Sequence, residues 1–140
     1  APVGAWVAVS GSISWQPFLL MAAVTFWIAG FDIIYACLDI DFDRREGIHS
    51  LPASLGPKAA LLIAKLFHIF AVAFLLATGW VFHLGGVYYA GAAVVAALLV
   101  YENAIVSARD FSRVNTAFMT MNGVIGIVYL AFLAAGLYLF

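Results

Sequence analysis

The sequence predicts an all-α membrane protein, a bundle of about four full transmembrane spans plus a partial one. Three observations carry this. First, 66% of the 140 residues are hydrophobic and 9% are charged, whereas an ordinary soluble domain is about 25% charged. A chain this short exposes too much surface to hide so much apolar material from water. Second, uncharged stretches near the roughly 20 residues needed to cross a bilayer recur along it. Third, the lysines and arginines of the connections fall in alternate ones. Together these exclude a soluble globular enzyme and a disordered segment. Six Lys+Arg against seven Asp+Glu leave no basic field for nucleic acid.

Residues 1–9 read as the end of a partial span. Full spans are expected over residues 13–31, 59–82, 84–101 and 114–140. Backbone polar groups in hydrocarbon must pair within their own segment, so these are helices. Their continuous apolarity lacks the alternation of a membrane barrel. The connections fall at residues 10–14, 39–58, 80–86 and 102–113. Arg44, Arg45 and Lys58 lie in the second, and Arg109 and Arg113 in the fourth. Successive helices reverse direction, so these two share a side, which the positive-inside rule makes cytoplasmic. The C-terminus, Phe140, then lies opposite. Trp80, His83, Tyr88 and Tyr89 suit an aromatic belt at that far interface. Lys65 and His68 share a face of their span, and Lys65 is near enough to its start to snorkel back to the interface. The single cysteine, Cys37, excludes a disulfide framework and a four-cysteine zinc site, and is expected to pack as a small apolar residue. His49 has no histidine partner at ligand spacing.

The chemistry is expected in residues 32–56. On a continuous helix at about 100° per residue, Asp39 and Asp43 fall within about 20° of Asp32, and Tyr35 about 60° away. Asp41 falls on the far side. Stacked like charges repel, more so at a membrane boundary. A divalent cation relieves that repulsion. Mg²⁺ suits hard oxygen ligands, taking one or two carboxylates and completing its shell with water and phosphate. A solvated acidic loop with Arg44 and Arg45 as partners is the alternative reading of the same spacing.

The series Asp32-x-x-Tyr35-Ala36-x-x-Asp39-x-x-x-Asp43-x-x-x-Gly47-x-x-Ser50, followed by Gly56, resembles the second aspartate-rich motif of the UbiA superfamily of membrane prenyltransferases. Within it, the branch most similar is that of the 4-hydroxybenzoate polyprenyltransferases and their relatives in menaquinone synthesis. A weaker resemblance extends to Ser112-Arg113-Val114-Asn115 and Met121-Asn122-Gly123. It implies a nine-helix fold of which residues 1–140 form the C-terminal part, within one prenyltransferase domain. It implies Mg²⁺-dependent transfer of a prenyl group from a polyprenyl diphosphate to an aromatic acceptor such as 4-hydroxybenzoate, in ubiquinone biosynthesis. Asp39 and Asp43 match the family's metal-binding acids. Asp32 matches an acid placed for a second metal, the acceptor or a proton, and Tyr35 accompanies it as a catalytic candidate. The resemblance also implies a bacterial inner-membrane protein whose site faces the cytoplasm.

Arg44, Arg113, Asn115 and Asn122 are candidate substrate-binding residues. Asn115 and Asn122, seven apart on one helix face near Gly126, suit either helix packing or a cavity wall. Arg109 and Arg113 suit either diphosphate or topology alone. The chain opens at Ala1 inside an apolar run and carries no first aspartate motif, so it is expected to be a fragment, inactive by itself. The competing reading from another class is a transporter or channel subunit whose acids line a cation path.

The charge asymmetry sets a test of orientation. A cysteine introduced at Ile48 in a Cys37→Ala background is expected to react with an impermeant thiol reagent only from the cytoplasmic side. Labelling from the opposite side would reverse the topology.

Overall fold

The computed structural model describes residues 1–115 and 121–138. Its helices are α1 (Pro2–Ser10), α2 (Pro17–Ala36), α3 (Ile40–Glu46), α4 (Leu51–Leu55), α5 (Pro57–Val81), α6 (Gly86–Ile105) and α7 (Asn122–Tyr138). All four prolines of the chain stand in the first two positions of a helix, opening α1, α2, α4 and α5. There the missing N–H is not needed and the fixed φ already suits the helix. Gly47 ends α3 at φ 70°, a left-handed conformation costly for other residues.

Three helices, α2, α5 and α6, are long and apolar enough to cross a membrane. They match the expected spans with shifts of one to five residues at their ends. The fourth expected span corresponds to α7, a shorter apolar helix of 17 residues. Residues 114 and 115 are also helical. Residues 116–120 and 139–140, and with them the expected position of Phe140, lie outside the described residues. Two expectations need correction. The connection assigned to 39–58 contains the helices α3 and α4. The one assigned to 102–113 begins four residues late, because α6 continues to Ile105 and encloses Glu102, which is 0% exposed.

The most extensive helix pairing is α2 with α5. Small residues make it possible: Gly30 of α2 meets Ala64 and His68 of α5, and Ala60, Ala64 and Ala71 of α5 are buried. Membrane helices gain little from hydrophobicity against one another, so close backbone approach and polar contacts decide their association. Higher in the same seam, Phe26 packs among Phe67, Phe70 and Phe74 with ring centroids 5.3–5.7 Å apart. A core of Ala23, Leu75, Val95, Leu99 and Ile125 joins α2, α5, α6 and α7. A second core, including Ile33, Ile34, Cys37, Ile40, Ala60, Leu61 and Val106, seals the end where α3 and α4 lie. Cys37 thus packs as expected, 2% exposed.

Polar side chains tie the same helices together. Asn103 of α6 donates to Nδ1 of His68 at 2.6 Å and to the Leu99 carbonyl at 2.8 Å. The Trp27 indole donates to Oδ1 of Asn122 at 2.7 Å, joining α2 to α7. Tyr88 departs from the expected interfacial belt. It is 2% exposed, and its hydroxyl donates to the Leu75 carbonyl at 2.8 Å. Trp80, 74% exposed, fits the belt.

A Cβ added at Gly30 would collide with the buried His68 ring. Gly30→Ala is therefore expected to destabilise the protein by about 1–3 kcal/mol, the usual overpacking cost, measured as thermal unfolding in detergent. His68→Ala combined with it should cost less than the sum of the two single changes. Strict additivity would show that the two residues do not oppose one another.

Candidate active site

The site is built where α2 ends. Asp32 and Tyr35 occupy the exposed face of its last turns, while Gly30, Ile33 and Ile34 point into the bundle. The helix does not continue through Asp43, which corrects the single acidic row expected from the sequence. The amides of Cys37, Leu38 and Asp39 bond to the carbonyls of Ile34, Tyr35 and Ala36 at 3.0–3.2 Å. These are tight three-residue bonds of the kind that close a helix end. Asp39 then stands at the N-cap position of α3 in a non-helical conformation at φ −104°, its side chain making no capping bond. The break lets Ile40 turn into the core, where it is 9% exposed.

The acids therefore have different surroundings. Asp32, Asp39 and Asp41 are exposed, whereas Asp43 is 7% exposed. Asp39 and Asp43 remain linked, because the amide of Asp43 donates to the Asp39 carbonyl at 2.8 Å across the first turn of α3. The Ser50 hydroxyl donates to Oδ2 of Asp43 at 2.5 Å. Its oxygen also accepts from the Ala53 amide at 3.3 Å, capping α4. One serine thus orients a buried carboxylate and starts the next helix. Among the described residues no group of three or more His, Cys, Asp or Glu is arranged to hold a metal. A pair one turn apart still fits Mg²⁺, which needs only one or two carboxylates when phosphate and water supply the rest.

Arg44 is exposed and its Nε donates to the Ala53 carbonyl at 3.1 Å, bracing α3 against α4. Arg45 does the same locally to the Asp41 carbonyl. Arg113 and Asn115 are exposed beyond a turn in which Ser107 and Asp110 exchange backbone bonds. In that turn the Ser112 amide bonds to Asp110 at 2.9 Å and holds its carboxyl below the usual range, with Arg113 adding to the effect. Asn122 is half-buried and engaged by Trp27. It lies in the helix–helix seam, and its face relation to Asn115 runs through residues outside the description. The burial of two polar groups is not evident from the sequence. His68, 3% exposed, is part of the α2–α5 seam, and Glu102 has both carboxylate oxygens without a hydrogen-bond partner among the described residues. Asn103, two residues from the end of α6, is the sequence signal that polar groups are buried there.

The sequence profile of the UbiA prenyltransferase family matches residues 1–125. The chain belongs to that family. Among similar proteins, 4-hydroxybenzoate octaprenyltransferase of Cronobacter sakazakii is 33% identical over 126 residues, covering 90% of this chain and 43% of that one. The protein of the same description from Yersinia pseudotuberculosis is 30% identical over 132 residues, covering 94% of this chain and 45% of that one. The apo structure of a UbiA homolog from Aeropyrum pernix K1 superposes with a TM-score of 0.74 at 35% identity, covering 91% of this chain and 44% of that one. The chain therefore spans less than half the length of these relatives.

The bracing role of Ser50 is open to test. Ser50→Ala removes both the bond to Asp43 and the α4 cap, and is expected to lower stability by about 1 kcal/mol. Cleavage by a protease within residues 47–56 should accelerate in parallel. An unchanged unfolding midpoint would mean that neither bond contributes.

Proposed function

We propose that this chain is the C-terminal part of a membrane prenyltransferase that moves a polyprenyl group from a polyprenyl diphosphate to an aromatic acceptor, with 4-hydroxybenzoate as the acceptor. The observation that carries this reading is the paired placement of Asp39 and braced Asp43 on the first turn of α3, below the exposed Asp32 and Tyr35, in a chain of the UbiA family. The relatives described as 4-hydroxybenzoate octaprenyltransferases support the choice of acceptor.

Asp39 and Asp43 are the residues that would hold Mg²⁺. Bound there, it neutralises the diphosphate and makes it a better leaving group. Ser50 keeps Asp43 from reorienting as charge moves in the site, the kind of preorganisation on which electrostatic catalysis depends. Asp32 and Tyr35 are one helical turn apart on the same exposed face. In this reading Tyr35 positions the acceptor through its phenol, and Asp32 accepts the proton that the ring loses after bond formation. Arg44 and Arg113 lie at the same basic end and supply charge to the diphosphate approach, while Asn115 and Asn122 contribute polar groups nearby. The basic end faces the cytoplasm of a bacterial inner membrane, where a soluble aromatic acid and a lipid-tailed diphosphate meet. The acids cluster at the end of α2 and in α3 rather than in the middle of the spans, which argues against a cation-conducting path.

The test uses the complete protein, assayed with Mg²⁺, a polyprenyl diphosphate and 4-hydroxybenzoate. Asp39→Ala and Asp43→Ala are each expected to lower turnover about 100- to 1,000-fold, the scale for losing one preorganised electrostatic group. Asp41→Ala, exposed and without a role in the pair, should retain most activity. Residues 1–140 alone should show no turnover until the rest of the protein is supplied as a separate chain. Equal losses at all three acids would remove Asp39 and Asp43 from the metal-holding role.

A further inference from the structure

A cavity lies away from the acids. It is a groove of about 540 Å³ between α5 and α6, whose wall includes Lys65, His68, Val72, Ala96, Leu99 and Asn103. Its size is within the usual range for small-molecule sites. The two helices are antiparallel, joined by the short connection at residues 82–85. Lys65, His68 and Asn103 therefore lie at the end of the groove nearer Arg44, Arg45 and Lys58. From Lys65 to Val72, and from Asn103 to Ala96, the walls run about 10 Å deeper, and beyond His68 and Asn103 their lining residues Ile69, Val72, Ala96, Leu99 and Val100 are apolar. The groove opens sideways: among the described residues Ile69 is 62% and Val100 is 70% exposed.

We propose that this groove holds one acyl chain of an anionic phospholipid, with the headgroup phosphate on Lys65. Lys65 is the only lysine or arginine outside the connections, about 12 Å along α5 from Pro57. It is exposed, and among the described residues it makes no hydrogen bond or ion pair. A cation at that depth is costly unless it reaches the interface or meets an anion. Asn103 does not compete for the anion. Asn103 spends its two amide donors on His68 and the Leu99 carbonyl. One cation matches the single charge of a phosphodiester. A diphosphate carries more charge and would need further cations, while the acids suited to a metal are on α2 and α3. The basic end also faces the leaflet richer in anionic lipid, which draws in basic groups at its surface.

The complete protein is reconstituted in nanodiscs of phosphatidylglycerol and phosphatidylcholine in equal amounts, and retained lipid is counted by native mass spectrometry. Phosphatidylglycerol is expected to be retained about fivefold over phosphatidylcholine, the scale for one lysine at the membrane surface. Lys65→Gln should bring the two to parity, and Lys58→Gln should leave the preference unchanged. Ala96→Phe, which fills the apolar wall, should reduce retention while Lys65 remains. The proposal fails if neither lipid is preferred, or if Lys58→Gln abolishes the preference as fully as Lys65→Gln. It fails equally if a polyprenyl diphosphate displaces the lipid, which would assign the groove to substrate.

Discussion

The close approach of α2 to α5 at Gly30 is the constraint on which the rest of the structure depends. With no side chain at that position, the His68 ring enters the seam, and Asn103 fixes the ring from α6. Trp27, on the preceding turn of α2, reaches Asn122 of α7. Four helices are thus registered at one level of the bundle by a glycine and two polar contacts. In a membrane such contacts weigh more than apolar burial, because lipid competes equally well for apolar side chains. The position of Asp32 and Tyr35 follows directly, since they lie within five residues of Gly30 on the opposite face of the same rigid helix.

The second determinant is the break after Ala36. A continuous helix would have stacked three carboxylates on one exposed face. The turn at residues 37–39 instead separates Asp32 from Asp39 and rotates Asp43 inward to Ser50. Repulsion is reduced and one carboxylate becomes fixed while the others stay accessible. The site therefore combines a rigid acid with exposed ones, an arrangement suited to gripping a charged group that arrives from outside the bundle.

Glu102 shows the opposite economy. A carboxyl with no exposed surface and no partner among the described residues is costly to keep charged, and in a membrane span it marks a place where polarity has been retained against that cost. It stands beside Asn103 on α6 yet takes no part in the groove, so the polar residues near this end of α6 serve different neighbours.

The sequence by itself determined the class of solvent, the approximate limits of the three long helices, the shared side of the basic connections, and the acidic segment that bears the family resemblance. These are properties of composition and of local period, which a bilayer enforces strictly. The tertiary structure alone decided which acid is buried, that α2 stops at Ala36, and that Glu102, His68 and Tyr88 are interior. Three of these depend on a partner distant in the chain: Ser50 for Asp43, Gly30 and Asn103 for His68, Leu75 for Tyr88. Helical periodicity places residues on a face of their own helix, but it does not say where the helix yields to a core contact such as Ile40. Nor does it say which neighbour that face will meet, because that choice is made by packing between helices.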